Sequence, residues 1–244
     1  MAFEYEQKFV YKVPDQKARE ILGYQNLELP SITQTHITSF FEKYGILVFN
    51  EHNLTQKDRF FLPSNNIDLS LVQIILDSSV INKSDEYCEF KEEYFKRITN
   101  NSLEDYEKQL RFRSSSSNSN KTSYFLTLKD SNSPKEYEVQ IKSPFIEFSS
   151  LFYELKNKSK SKKQKKYVST FNGYNLALEF NTISDLNNTT FFEIELLSRK
   201  ENPLANNLIE TIAKEFEIRE PSKNTRKGGL REDRGFYSMQ KLFI

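Results

Sequence analysis

Charged residues in this chain recur at every second position within short, otherwise apolar runs, and that period constrains the fold more than any other feature. The clearest case is Phe3-Glu4-Tyr5-Glu6-Gln7-Lys8-Phe9-Val10-Tyr11. In a strand, alternate side chains share a face, so Glu4, Glu6 and Lys8 point one way and Phe3, Tyr5, Phe9 and Tyr11 the other. The expectation is a sheet with one apolar, packed side and one charged side lining a polar cavity. Two carboxylates beside a lysine can hold a divalent cation and an anionic substrate together.

The pattern recurs with both signs. Arg111 and Arg113 alternate with Leu110 and Phe112, and Thr127 and Lys129 with Leu126 and Leu128. Glu136 and Glu138 alternate with Tyr137 and Val139, and Lys163 and Lys165 precede Tyr167. Glu179 sits in Leu176-Ala-Leu-Glu-Phe180, and Glu193 and Glu195 alternate with Phe192, Ile194 and Leu196. A solvated sheet face mixes charges within each strand, whereas here single strands carry acid pairs or base pairs. Such grouping suits a cavity where basic strands grip phosphates and acidic strands hold metal.

With 244 residues the chain is long enough for one medium domain with a substantial core. Lys and Arg total 35 against 34 Asp and Glu, a net charge of +1, so nothing draws the whole chain toward nucleic acid or membrane. No apolar run approaches a membrane span and no signal-peptide pattern follows Met1, which reads as a soluble, cytoplasmic protein. Cys88 is the one cysteine and His36 and His52 are the two histidines, so a cysteine-histidine zinc site is excluded. Any metal would be a hard ion on carboxylates.

Along the chain, Pro14 and Asp15 open a short helix to about Leu22 with Asp15 as N-cap. Residues 37–50 are ambiguous, and Leu54 to Leu69 reads as strand and turn. Residues 70–108 read as an inserted helical excursion, with helical spacing in Leu69, Val72, Ile75 and Leu76. Ser114 to Lys121 reads as a low-complexity hairpin loop. Residues 145–157 read as an apolar-periodic helix, Lys156 to Lys166 as a lysine-rich connector, and Leu204 to Phe216 as an amphipathic helix with Leu204, Leu208, Ile212 and Phe216 on one side.

In order, these runs resemble the CYTH superfamily, the triphosphate tunnel metalloenzymes, which include class IV adenylyl cyclases, thiamine triphosphatases and inorganic triphosphatases. The family's opening Glu-x-Glu-x-Lys stands here as Glu4, Glu6 and Lys8. Its next strand is similar to Gln56-Lys57-Asp58-Arg59-Phe60-Phe61, its Leu-Arg-x-Arg to Leu110–Arg113, and its Leu-Thr-x-Lys to Leu126–Lys129. The following acidic strand is similar to Lys135-Glu136-Tyr137-Glu138. Its Lys-x-Arg appears as Lys163-Gln164-Lys165, with Lys166 serving if the register differs. The late acidic positions appear as Glu179 and as Glu193-x-Glu195, and the Gly235-Phe236-Tyr237-Ser238 tail looks like that of the cyclase branch. Lysine stands at 165 where the family prefers arginine, glutamate at 179 where it has aspartate, and the 70–108 stretch is additional.

The resemblance implies an α+β fold, an antiparallel eight-stranded closed β-tunnel with flanking helices, in one domain over residues 1–244. It implies Mg²⁺ or Mn²⁺ and a small-molecule triphosphate, inorganic or nucleotide, with no membrane or nucleic-acid partner and with room for a homodimer. Phosphate would be held by Lys8, Arg111, Arg113, Lys129, Lys163 and Lys165. Glu179, Glu193 and Glu195 would hold the catalytic metal, while Glu4 and Glu6 hold a second metal or orient water. Glu136 and Glu138 would touch metal or balance the basic network, and Tyr237 would belong to a lid or to a pinned terminal element. Hydrolysis is the expected reaction. Cyclisation of ATP to 3′,5′-cyclic AMP and noncatalytic binding of triphosphate or polyphosphate are the alternatives. Bases from several strands can surround phosphates without a Gly-rich cradle, in keeping with six glycines in the whole chain.

Overall fold

A computed structural model describes residues 2–21, 31–104, 107–117, 121–129, 135–142, 151–155 and 160–216. The strands are β1 (Ala2–Lys12), β2 (Asn50–Pro63), β3 (Leu110–Ser117), β4 (Thr122–Lys129), β5 (Lys135–Ile141), β6 (Phe152–Glu154), β7 (Lys160–Phe171), β8 (Tyr174–Ile183) and β9 (Thr189–Ser198). The helices are α1 (Gln16–Ile21), α2 (Gln34–Lys43), α3 (Leu69–Ser79), α4 (Asp85–Thr99) and α5 (Ala205–Glu215). The hydrogen-bonded order is β3-β4-β5-β1-β9-β8-β7-β2-β6, and β2 pairs back to β3. Eight antiparallel strands therefore close on themselves, with β6 as an extra partner of β2, and the α+β closed architecture expected from the alternation is present.

The chain divides into two compact units. One comprises residues 1–4, 54–161 and 199–201, and the other residues 5–53, 162–198 and 202–244. In the first, alternation puts Leu110, Phe112, Leu126, Leu128, Tyr137 and Val139 on one face. They share a buried cluster with Val72 and Leu76 of α3 and Tyr87, Phe90 and Tyr94 of α4. The 70–108 excursion thus contributes the helices that cover this sheet face. Asp68 caps α3 by accepting from the Ser70 and Leu71 amides at 3.0 and 3.1 Å. Arg97 closes the end of α4: its guanidinium donates to Glu93 at 2.8 Å and to the carbonyl of Lys129 at 2.8 Å, so the buried cation has a carboxylate and a backbone acceptor.

In the second unit, Leu176, Leu178, Phe192, Ile194 and Leu196 form the apolar face, and α2 and α5 bury Ile37, Phe40, Phe41, Ile209, Ile212 and Phe216. Phe216 packs on Phe40 and Phe192 with ring centroids 5.2 and 5.3 Å apart. Between β7 and β8, Asn172 and Gly173 both take positive φ (49° and 80°), which the two-residue turn pairing Phe171 with Tyr174 requires.

Several local expectations are corrected. The ambiguous 37–50 stretch begins inside helix α2, capped by Thr33. Ser114–Ser117 are not loop: β3 runs on through them, because each pairs with β2 and three of them also pair with β4. Within the helix expected over 145–157, residues 145–150 and 156–157 lie outside the described residues. Phe152–Glu154 is a strand on β2, with Phe152 in the core and Glu154 bonded to Arg59 at 2.6 and 2.8 Å. The described part of the lysine-rich connector, from Lys160, is already β7. Helix α5 buries Ala205, Ile209, Ile212 and Ala213, while Leu204 is exposed, so its apolar stripe is rotated from the expected one. Asp15 precedes α1, its carbonyl accepting from Arg19 N at 3.0 Å.

Candidate functional site

In the first unit, the side of the sheet away from the helices carries Glu4 of β1, Asp58 of β2, Arg111 and Arg113 of β3, Thr127 and Lys129 of β4, and Glu136 and Glu138 of β5. Register brings these together across strands: Asp58 opposes Arg113, Arg111 opposes Thr127, Thr127 opposes Glu138, and Lys129 opposes Glu136. Arg113 grips Asp58 with a two-pronged fork, Nε to Oδ1 at 2.7 Å and Nη2 to Oδ2 at 2.9 Å. Lys160 Nζ stands 3.8 Å from the same carboxylate. Asp58 is 1% exposed. Burial alone would raise its pKa, but Arg113, Arg111 and Lys160 override that and hold it far below the carboxylate range. The same pairing raises the Arg113 guanidinium against the effect of its burial.

Arg111 Nη2 donates to Glu136 Oε1 at 2.6 Å and lies 3.9 Å from Glu138, which also accepts from Thr127 at 3.2 Å. Lys129 Nζ bonds Glu4 at 2.7 Å and stands 3.9 Å from Glu136. Glu4 and Glu136 stand on the paired strands β1 and β5, and their carboxyls are shifted in opposite directions. Burial, with Glu4 beside it, pushes Glu136 up to about 8 against Lys129 and Arg111. Glu4 goes the other way: burial opposes its charge, but Lys129 wins and depresses it.

The second unit gathers Glu6 and Lys8 of β1, Lys162, Gln164 and Lys166 of β7, Glu179 and Asn181 of β8, and Glu193 and Glu195 of β9. Lys166 opposes Glu179, and Glu179 opposes Glu193. Lys166 Nζ lies 2.7 Å from Glu179 and 3.3 Å from Glu195. Lys8 Nζ pairs with Glu6 and stands 3.3 Å from Glu193 Oε2. Gln164 Nε2 donates to Glu179 at 2.6 Å and to Asn181 at 3.0 Å, and Asn181 Nδ2 donates to Glu179 at 3.0 Å. Burial opposes the charge on both members of the central pair. Even so, Glu195 and Glu179 raise Lys166, and Lys166 and Lys162 depress Glu179. Glu193 is 4% exposed, and its Oε1 has no hydrogen-bond partner among the described residues.

Of the sequence-derived candidates, Glu4, Arg111, Arg113, Lys129, Glu136 and Glu138 fall in the first network and Glu6, Lys8, Glu179, Glu193 and Glu195 in the second. Lys163 and Lys165 fall in neither. They share a face with buried Tyr167, Lys163 is exposed, and Lys165 pairs with Glu51 at 3.2 Å. Lys162, Gln164 and Lys166 take the charged face instead, the one-residue offset that the sequence left open. The parity of Tyr167, which belongs on the apolar side, is the signal that would have fixed it. Asp58 stood only within the second-strand run, Gln164 only between two lysines and Asn181 in no motif, since only cross-strand register reveals their partners. Tyr237 lies outside the described residues.

The donor set is carboxylate only, which suits a hard divalent cation, and the unsatisfied Glu193 oxygen is where such an ion would be welcome. Among the described residues no three histidine, cysteine or carboxylate side chains converge as a ready metal cluster. Lysine ammonium groups stand between the glutamates instead. No described helix is long and apolar enough to cross a membrane. No protein-family model matches the chain, and no curated protein matches it.

Proposed function

We propose that this protein processes triphosphates with the help of Mg²⁺ or Mn²⁺, hydrolysing an inorganic or organic triphosphate to release orthophosphate. The observation that carries the reading is the gathering of Glu179, Glu193 and Glu195 with Lys166 and Lys8 on one sheet face, Glu193 keeping a buried oxygen without a donor. The closed antiparallel strand order and the ordered motifs that resemble triphosphate tunnel metalloenzymes support the same reading.

In this reading Glu179, Glu193 and Glu195 hold the cation, which when bound neutralises phosphate charge and acidifies a water. The two lysines do the rest of the electrostatic work. With phosphate present, Lys8 and Lys166 exchange glutamate partners for phosphate oxygens, a small movement for a flexible ammonium group. Gln164 and Asn181 keep Glu179 oriented while its lysine is shared. Glu6, beside Lys8, accepts a proton from an approaching water. Arg113 and Lys129 are each already paired with a charged carboxylate, so an anion recruits them only by displacing Asp58 or Glu4, while Arg111 donates to the Glu136 carboxyl.

The test is to incubate the protein with inorganic triphosphate and with ATP, each with Mg²⁺ or Mn²⁺, and to identify every product. Orthophosphate from both is expected, with activity abolished by EDTA. Glu193→Ala should lower turnover by about a hundredfold, the scale of losing a key electrostatic group. Cyclic AMP and pyrophosphate from ATP, with inorganic triphosphate untouched, would make the protein a cyclase, and binding without turnover would make it a sensor. Full activity of Glu193→Ala would remove the carboxylates from the mechanism.

A further inference from the structure

We propose that the carboxamides of Gln164 and Asn181 clamp one oxygen of Glu179, so that Glu179 offers a divalent cation its other oxygen alone. The inference rests on the triphosphate reading and concerns which metal that reading takes: the clamp favours Mg²⁺ over Ca²⁺. All the residues lie in the second unit, and register on β7, β8 and β9 builds the clamp. Gln164 opposes Asn181, Lys166 opposes Glu179, and Glu179 opposes Glu193. Glu179 and Asn181 alternate along β8, so their side chains share one face with Gln164 beside them.

Both amides converge on the same atom. Gln164 Nε2 donates to Glu179 Oε2 at 2.6 Å, and Asn181 Nδ2 donates to it at 3.0 Å. Gln164 Nε2 also reaches Asn181 Oδ1 at 3.0 Å, which closes a ring of three side chains. Gln164 is 6% exposed, Glu179 2% and Asn181 0%, so the ring has little room to turn. A carboxylate oxygen accepts along two lone pairs, and two donors use those of Oε2. Oε1 faces Lys166 Nζ at 2.7 Å, an ammonium group that also stands 3.3 Å from Glu195. A cation taking the place between Glu179 and Glu195 therefore displaces a lysine at Oε1 and finds Oε2 occupied. Ca²⁺ gathers about six to eight oxygens and often takes both from one carboxylate, whereas Mg²⁺ holds a tight octahedron that one oxygen from each carboxylate suits.

Calorimetric titration of the full chain with MgCl₂ and with CaCl₂, without nucleotide, tests this directly. The wild type should bind Mg²⁺ more tightly than Ca²⁺. Gln164→Met, which keeps the volume and removes the donor, should lower Mg²⁺ affinity about tenfold, the scale of losing a group that orients a metal ligand. Ca²⁺ affinity should hold or rise, because Oε2 is freed. Asn181→Leu should shift the ratio in the same direction. Each variant is read by the ratio of two ions in one sample, which a loss of folded protein does not imitate. A wild type that prefers Ca²⁺, or a ratio unchanged in Gln164→Met, overturns the clamp and leaves the triphosphate reading standing. If neither ion binds the wild type, the metal role of these glutamates fails and the clamp falls with it.

Discussion

The two charged networks use similar residue types and are built on opposite plans. In the first unit two of the four bases are arginines, and Arg113 is matched to Asp58 in a fixed, two-pronged geometry. In the second the bases are lysines, and two of them are shared between two glutamates: Lys166 between Glu179 and Glu195, Lys8 between Glu6 and Glu193. A planar fork fixes its partner's orientation, whereas an ammonium group is a point charge that can change partners. The first network therefore behaves as a braced structural element with an anion-responsive edge at Lys129. The second keeps spare acceptor capacity, visible in Glu193 Oε1. The difference suggests that similar charge content supports stability in one region and chemistry in the other.

The largest expected effect tests the bracing. Asp58→Ala leaves the Arg113 guanidinium in place with its main partner gone, and breaking a buried pair from one side costs about 3–5 kcal/mol. Urea denaturation should show that loss, and Asp58→Ala/Arg113→Met should recover most of it because no lone charge remains. Glu195→Ala in the second unit should cost under about 1 kcal/mol, since Lys166 keeps Glu179 at 2.7 Å. Equal losses in Asp58→Ala and Glu195→Ala would erase the distinction between the networks.

A smaller effect separates the two faces of β7. Lys166→Met should lower triphosphate turnover by about a hundredfold, comparable to removing one preorganised donor. Lys163→Ala, exposed on the opposite face, should stay within about twofold. The reverse ranking would restore the Lys163–Lys165 register taken from the motif.

These contrasts also mark how far the sequence could be read. The alternation in Glu4-x-Glu-x-Lys8 and Leu110-Arg-Phe-Arg113 was enough for a two-faced sheet, because the strand period is fixed by the backbone. It could not say that Asp58 belongs to Arg113, because register between distant strands is set by tertiary packing. In Lys160–Lys166 almost every residue is polar, so period alone could not choose between Lys165 and Lys166. The helix expected over 145–157 failed where Phe152 and Glu154 find partners on β2, a three-residue strand too short to leave a period. The serines of β3 look like a loop by composition and are strand because β2 and β4 offer them ladder partners.

A smaller contrast between the networks comes from pH, because among the described residues Glu136 of the first unit is the carboxyl pushed up, to about 8. Glu136 is pushed up to about 8, so between its unfolded value of 4.5 and that point the folded state holds a proton the unfolded chain has released. Its contribution to stability is complete below about 4.5 and is lost as pH rises through 8, with a slope of at most about 1.4 kcal/mol per pH unit. Glu4, Asp58 and Glu179 are depressed, so their contributions are present above their unfolded values and are lost only as pH falls further into acid. Lys166 is raised, and its contribution persists until pH climbs past its folded value, well above 8. Denaturation midpoints of the wild type should therefore decline from pH 5 to pH 8. Glu136→Gln, which keeps the side chain neutral, should flatten that decline. Parallel slopes in the two proteins would show that Glu136 does not hold that proton in the folded state, and would make its network as plain an ion-pair set as that of the second.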